Sequence, residues 1–104
     1  MKGKEEMRIK FENGDFYMRN DFFDALPIKA LTSIPKGDHY LMIYLKLLIE
    51  AAKYGGFIDE DYPVKNLACN IDEEPDEILE TIKWLTKFDL VERQGIKLIF
   101  KTLE

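Results

Sequence analysis

Apolar and polar residues alternate with a period of two at the start of this chain and with a period near 3.6 through most of the rest. Residues 8–19, RIKFENGDFYMR, alternate around Asn13-Gly14, the strongest short signal for a two-residue hairpin turn. With that turn Phe11 faces Phe16 and Ile9 faces Met18, which makes one face apolar. Glu12 opposite Asp15 is a minor electrostatic flaw. The residues ahead of the hairpin are expected to fray. In NDFFDALPIKALTSIPKG, Asp21 or Asp24 is placed to cap a short helix, with Leu26, Ile28, Leu31 and Ile34 inward. Pro27 is compatible only with its first turn. Pro35-Lys36-Gly37 then breaks the chain.

The longest periodic segment is DHYLMIYLKLLIEAAKY. Asp38 is expected to cap a helix running to Tyr54, and Gly55-Gly56 to end it. It is apolar almost all round, with only His39, Lys46, Glu50 and Lys53 as a polar stripe. Such a helix is either central to its own domain or shared with another subunit. A short strand at Gly56-Phe57-Ile58 follows. A helix from Pro63 comes next, with Val64, Leu67, Ala68 and Ile71 at i, i+3, i+4, i+7, and Asn70 is a candidate left-handed turn residue. Pro75 suits the first position of a further helix reaching Phe88, with Ile78, Leu79, Ile82 and Leu85 inward. The chain closes as a hairpin, Leu90–Arg93 with Ile96–Lys101, turning at Gln94-Gly95. Together these elements predict an α+β, mostly helical fold: a winged helix-turn-helix with an N-terminal β-hairpin. Residues 1–14 would be a partly ordered arm and the first hairpin strand, and 15–104 the winged-helix domain.

Length and composition agree with one small domain. The 104 residues are 46% hydrophobic and 34% charged, enough for a modest core and against disorder. No apolar run nears the roughly 20 residues of a membrane span, and the N-terminus lacks a signal-peptide apolar core. One cysteine excludes an intrachain disulfide, and with one histidine it leaves no zinc set. Cys69 is expected to be buried and inert, and His39 to be an exposed first-turn residue. The paired carboxylates at 59–61 and 72–77 have neither metal-binding spacing nor a Gly-rich phosphate loop beside them. No catalytic residue, metal site or cofactor is therefore expected, and the protein is not expected to be an enzyme.

Charge changes the picture more. The net charge is −5, but residues 59–80 hold nine acidic residues and one lysine, so the middle of the chain is an acidic block between balanced ends. A generic DNA-binding module would carry a basic stripe instead. With Ile78 inward and about 100° per residue, Asp76, Glu80, Lys83 and Lys87 point outward, and Trp84 lies at the boundary. The carboxylates of the first turn either serve the helix dipole, with Glu74 or Asp72 as cap, or dock a basic partner. Lys83 and Lys87, with Arg93 and Lys97 flanking the second hairpin, are the DNA-contact candidates. Tyr40, Tyr44, Trp84, Asp76, Glu77 and Glu80 are the protein-interaction candidates. For Tyr40, Met42 and Tyr44 the alternatives are core packing and a self-association face.

Several segments are similar to a known family. These are Asp21-Phe22-Phe23-Asp24, Ile28 and Leu31, Pro35-x-Gly37-Asp38, Ile43-Tyr44-Leu45-Lys46-Leu47-Leu48, Ala51-Ala52-Lys53, Leu67-Ala68 and Trp84-Leu85-x-x-Phe88. Over roughly Phe16 to Phe100 the chain resembles the N-terminal domains of phage replisome organisers, which are related to DnaD-like primosomal proteins. The resemblance implies a winged helix at the N-terminus of a longer replication initiator, acting in the cytoplasm of a bacterial host. It also implies double-stranded origin DNA, self-association and a helicase or helicase loader as partners. The competing reading is an oligomerisation or protein-interaction module without DNA contact.

Overall fold

The computed structural model describes residues 9–59 and 64–101. Pro63, the side chain of Val64, the N-terminal arm and the carboxylates at 60 and 61 lie outside the described residues.

Strands β1 (Ile9–Glu12) and β2 (Asp15–Met18) form the first hairpin in the expected register, with Ile9 opposite Met18 and Phe11 opposite Phe16. Asn13 and Gly14 both adopt positive φ, as a two-residue turn matching strand twist requires. One 3₁₀ turn (Phe22–Asp24) leads into α1 (Leu26–Ser33), with Pro27 in its first turn. Neither Asp21 nor Asp24 caps α1: Ala25 occupies the cap position without a side-chain bond. Asp21 instead accepts from Arg19 at 3.2 Å. Leu26, expected inward, is 78% exposed, because it precedes the turn of α1 that Ile28 and Leu31 bury.

Helix α2 (Gly37–Ala52) is the centre of the molecule and packs against α1, α3, α4, β2 and β3. It buries Tyr40, Ile43, Tyr44, Leu47, Leu48 and Ala51. Burial on several sides is why its sequence is apolar almost all round. Its cap position is Lys36, in the left-handed conformation, and Asp38 makes no side-chain cap there. A side chain at Gly37 would collide with the Leu31 carbonyl and the Thr32 backbone, so this glycine lets α1 and α2 meet.

Strand β3 (Phe57–Asp59), α3 (Val64–Ile71), α4 (Pro75–Lys87) and the hairpin β4 (Val91–Gln94) with β5 (Lys97–Phe100) complete the order. The second sheet runs β3-β5-β4, antiparallel throughout. Its turn is Gly95-Ile96, one residue later than expected, since Gln94 pairs with Lys97. Three helices end in the same way. Gly56, Glu73 and Leu90 donate their backbone N–H to the carbonyls of Ala51, Ala68 and Leu85, at 2.9, 3.1 and 2.8 Å. The residue before each donor, Gly55, Asp72 or Asp89, has positive φ. The left-handed residue after α3 is therefore Asp72. Asn70 lies inside the helix, where its side-chain amide donates to Glu50.

The described residues thus form an α+β fold of four α-helices and two small sheets. Its middle is an aromatic column: Tyr44 stacks between Phe22 at 6.4 Å and Phe100 at 6.3 Å. Each such pair contributes roughly 0.5–1.5 kcal/mol beyond its area burial. The column joins the first third of the chain to the last strand through α2.

Candidate nucleic-acid interface

α3 and α4 are joined by the turn at Asp72-Glu73-Glu74 and pack against each other and against α2. Ile71, Ile78 and Leu85 bury the inner faces, and Ile82 is half-buried. Leu79 departs from expectation at 54% exposed. It lies about 100° from Ile78 on a helix wheel, on a flank that no element among the described residues covers.

The outward strip of α4 divides by charge. Asp76 is exposed and Glu80 half-exposed on the N-terminal half, and Lys83 and Lys87 are exposed on the C-terminal half. The Glu80–Lys83 pair is loose, at 3.8 Å. Lys87 places its ammonium over the Trp84 ring at 5.6 Å. Glu74 sits at the cap position of α4 without a side-chain cap bond, so neither suggested capping role is realised.

On the flank facing α2 the acidic residues are matched by cations of the same chain. Glu73 accepts from Lys46 at 2.7 Å and lies 3.5 Å from His39 Nε2. Glu77 accepts from Lys36 at 3.0 Å and lies 3.7 Å from the same imidazole. The hydrogen bond that Lys36 donates to Glu77 raises its ammonium above the ordinary lysine value. Sequence reasoning missed this clasp, although a signal was present. Cations at 36, 39 and 46 recur with helical spacing, and the carboxylates at 73 and 77 are four apart. Glu50, assigned to a polar stripe, is buried, and accepts from Lys53 and Asn70.

The interaction candidates separate. Tyr40 and Tyr44 belong to this chain's own core, so they supply no surface. The ring of Tyr40 lies 6.4 Å from Trp84, which is half-buried and stacks on Phe88 at 5.7 Å. Met42, two residues and so about 200° round the helix from both tyrosines, is exposed. Cys69, expected inside, is exposed, because it falls off the Leu67/Ala68/Ile71 face.

The two hairpin cations do not share a face. Arg93 is paired with Leu98 on the face that buries Val91 and Phe100, and Lys97 is paired with Gln94 on the other. Side chains alternate along a strand, so Arg93 and Lys97 project from opposite sides. Lys97 lies over the Phe57 ring at 4.5 Å. An open groove of about 510 Å³ at the α3–α4 elbow is lined by Lys65, Cys69, Asp72, Glu73 and Glu74 among others, three acidic residues to one basic. Its charge makes it a poor seat for phosphate. No cluster of three or more metal-binding side chains occurs among the described residues, and no helix there is long and apolar enough to cross a membrane.

What the fold defines by itself is an α+β domain with a helix–turn–helix unit beside a three-stranded sheet. The family model described as N-terminal phage replisome organiser matches residues 16–102, and the chain belongs to that family. No curated protein and no solved structure matches it significantly. Membership ties the domain to phage replication.

Proposed function

We propose that this domain is the DNA-contacting module of a phage replisome organiser, using the helix–turn–helix and second hairpin as a winged helix on duplex origin DNA. The late half of α4 and the hairpin make the contact through Lys83, Lys87, Arg93 and Lys97, and the organiser then assembles replication proteins around the origin. One observation carries the reading. Lys46 and Lys36 hold Glu73 and Glu77 against α2, while Lys83 and Lys87 remain on the outward strip. The acidic block is thus partly neutralised within the chain, and the lysines of α4 stay available to phosphate.

The test is a fluorescence titration of the protein with phage-origin duplex across salt concentrations. Each phosphate contact adds about 0.9 to the slope of log affinity against log salt. Lys83→Glu combined with Lys97→Glu is expected to weaken binding and to flatten that slope by about 2. No binding by the unaltered protein at low salt would overturn the reading.

A second reading, self-association, is supported by Met42 and Ile49, seven residues apart on α2 and each more than half exposed. The two roles are compatible, since an oligomer would multiply weak DNA contacts.

A further inference from the structure

The tip of the second hairpin carries an unusual combination. Its two-residue turn is Gly95-Ile96, with Gly95 at φ +64°. Turn positions favour Gly, Asn, Asp and Ser, yet here a β-branched apolar side chain stands at the apex, 50% exposed. Its neighbours are exposed Gln94, Gly95 and Lys97, with exposed Arg93 below. The cations lie on opposite faces of the hairpin. Glu92 and Asp59 belong to the Lys97 face by strand alternation, and Asp59 is the cross-strand partner of Lys97. Glu92 is engaged there by Gln94 at 3.2 Å and approached by Lys101 at 3.8 Å.

We propose that the β4–β5 tip is a minor-groove wedge: Ile96 enters between base pairs of duplex DNA while Arg93 and Lys97 reach the phosphates on either side of the groove. The inference rests on the DNA reading above and specifies its mode. Apolar side chains flanked by cations unstack base steps in this way, and the cost is least at pyrimidine–purine steps. A hairpin with both cations on one face would reach one backbone only, whereas opposite faces allow both. A protein partner is less suited to this tip. Burying Ile96 against an apolar protein surface would also take Gln94, Arg93 and Lys97 out of water, whereas a polyanion matches the two cations.

The experiment uses the 104-residue chain and origin duplexes with 2-aminopurine placed at successive TA steps. The unaltered protein is expected to brighten the probe at one step. Ile96→Ala is expected to abolish the brightening and weaken binding about tenfold, and Ile96→Leu to restore both. Circular dichroism checks that the exposed turn tolerates each change. If the unaltered protein binds without brightening, or Ile96→Ala binds and brightens like it, the wedge is overturned and the phosphate contacts stand. If Ile96→Ala instead alters the mass seen by light scattering at unchanged DNA affinity, the tip is a protein contact and the wedge is overturned. If the unaltered protein does not bind duplex at all, both readings fall.

Discussion

The hydroxyl of Tyr44 is buried between two phenylalanine rings and finds no hydrogen-bond partner among the described residues. A hydroxyl in that state has lost water without compensation, so Tyr44→Phe is expected to be neutral or stabilising by up to about 1 kcal/mol in urea denaturation. Burial also pushes the phenol well above its ordinary range. The unfolded chain ionises near pH 10 while the folded one holds its proton. Stability from this group is therefore complete below pH 10 and falls as pH rises beyond it. Tyr44→Phe is expected to flatten the alkaline limb of a stability–pH profile, and an unchanged limb would contradict the burial. The sequence placed Tyr44 on a nearly all-apolar helix but left core and interface open. Deciding between them needs the rings of Phe22 and Phe100, which are distant along the chain. The same holds at the turn after α3. Asn70 and Asp72 both tolerate the left-handed conformation, and only the helix-ending bond from Glu73 to Ala68 selects Asp72.

At the scale of elements, the clasp between α2 and α4 answers the question raised by the acidic helix start. Carboxylates there do suit the dipole, but Glu73 and Glu77 also hold two helices together through Lys46, Lys36 and His39. Lys46–Glu73 is the most protected pair, with its side chains 31% and 11% exposed. A double-mutant cycle with Lys46→Ala and Glu73→Ala is expected to return a coupling of roughly 0.5–1 kcal/mol that shrinks in high salt. A coupling of zero would mean that the pair is incidental. Element order, both hairpins and the start of α4 at Pro75 were legible, because periodicity and turn chemistry are local. Leu79 was misplaced because it lies on a flank, where burial depends on whether another element covers it. The second hairpin's turn was misplaced by one residue. Gln94-Gly95 and Gly95-Ile96 are both serviceable turns, and the register that buries Val91 opposite Phe100 selects the second.

At the scale of the whole molecule, α2 is central, as one of the sequence's two alternatives held, and it still leaves Met42 and Ile49 outside. Met42→Glu with Ile49→Glu is expected to reduce the mass measured by light scattering across concentration while leaving the fold intact. A monomeric unaltered protein would remove the self-association reading and leave the DNA reading in place. The candidate basic surface was readable as a set of residues, Lys83, Lys87, Arg93 and Lys97. Its shape was not, since the opposite facing of Arg93 and Lys97 follows from strand register. By itself the sequence determined the elements, their order, the family and the segregation of charge, all of which are carried by spacing along the chain. Only the tertiary structure decided which carboxylates are matched, which aromatics are interior and which side chain stands at the hairpin tip. The first two depend on residues tens of positions apart, brought together by burial around α2, and the third on the register of β4 against β5, which side-chain burial selects rather than turn preference alone.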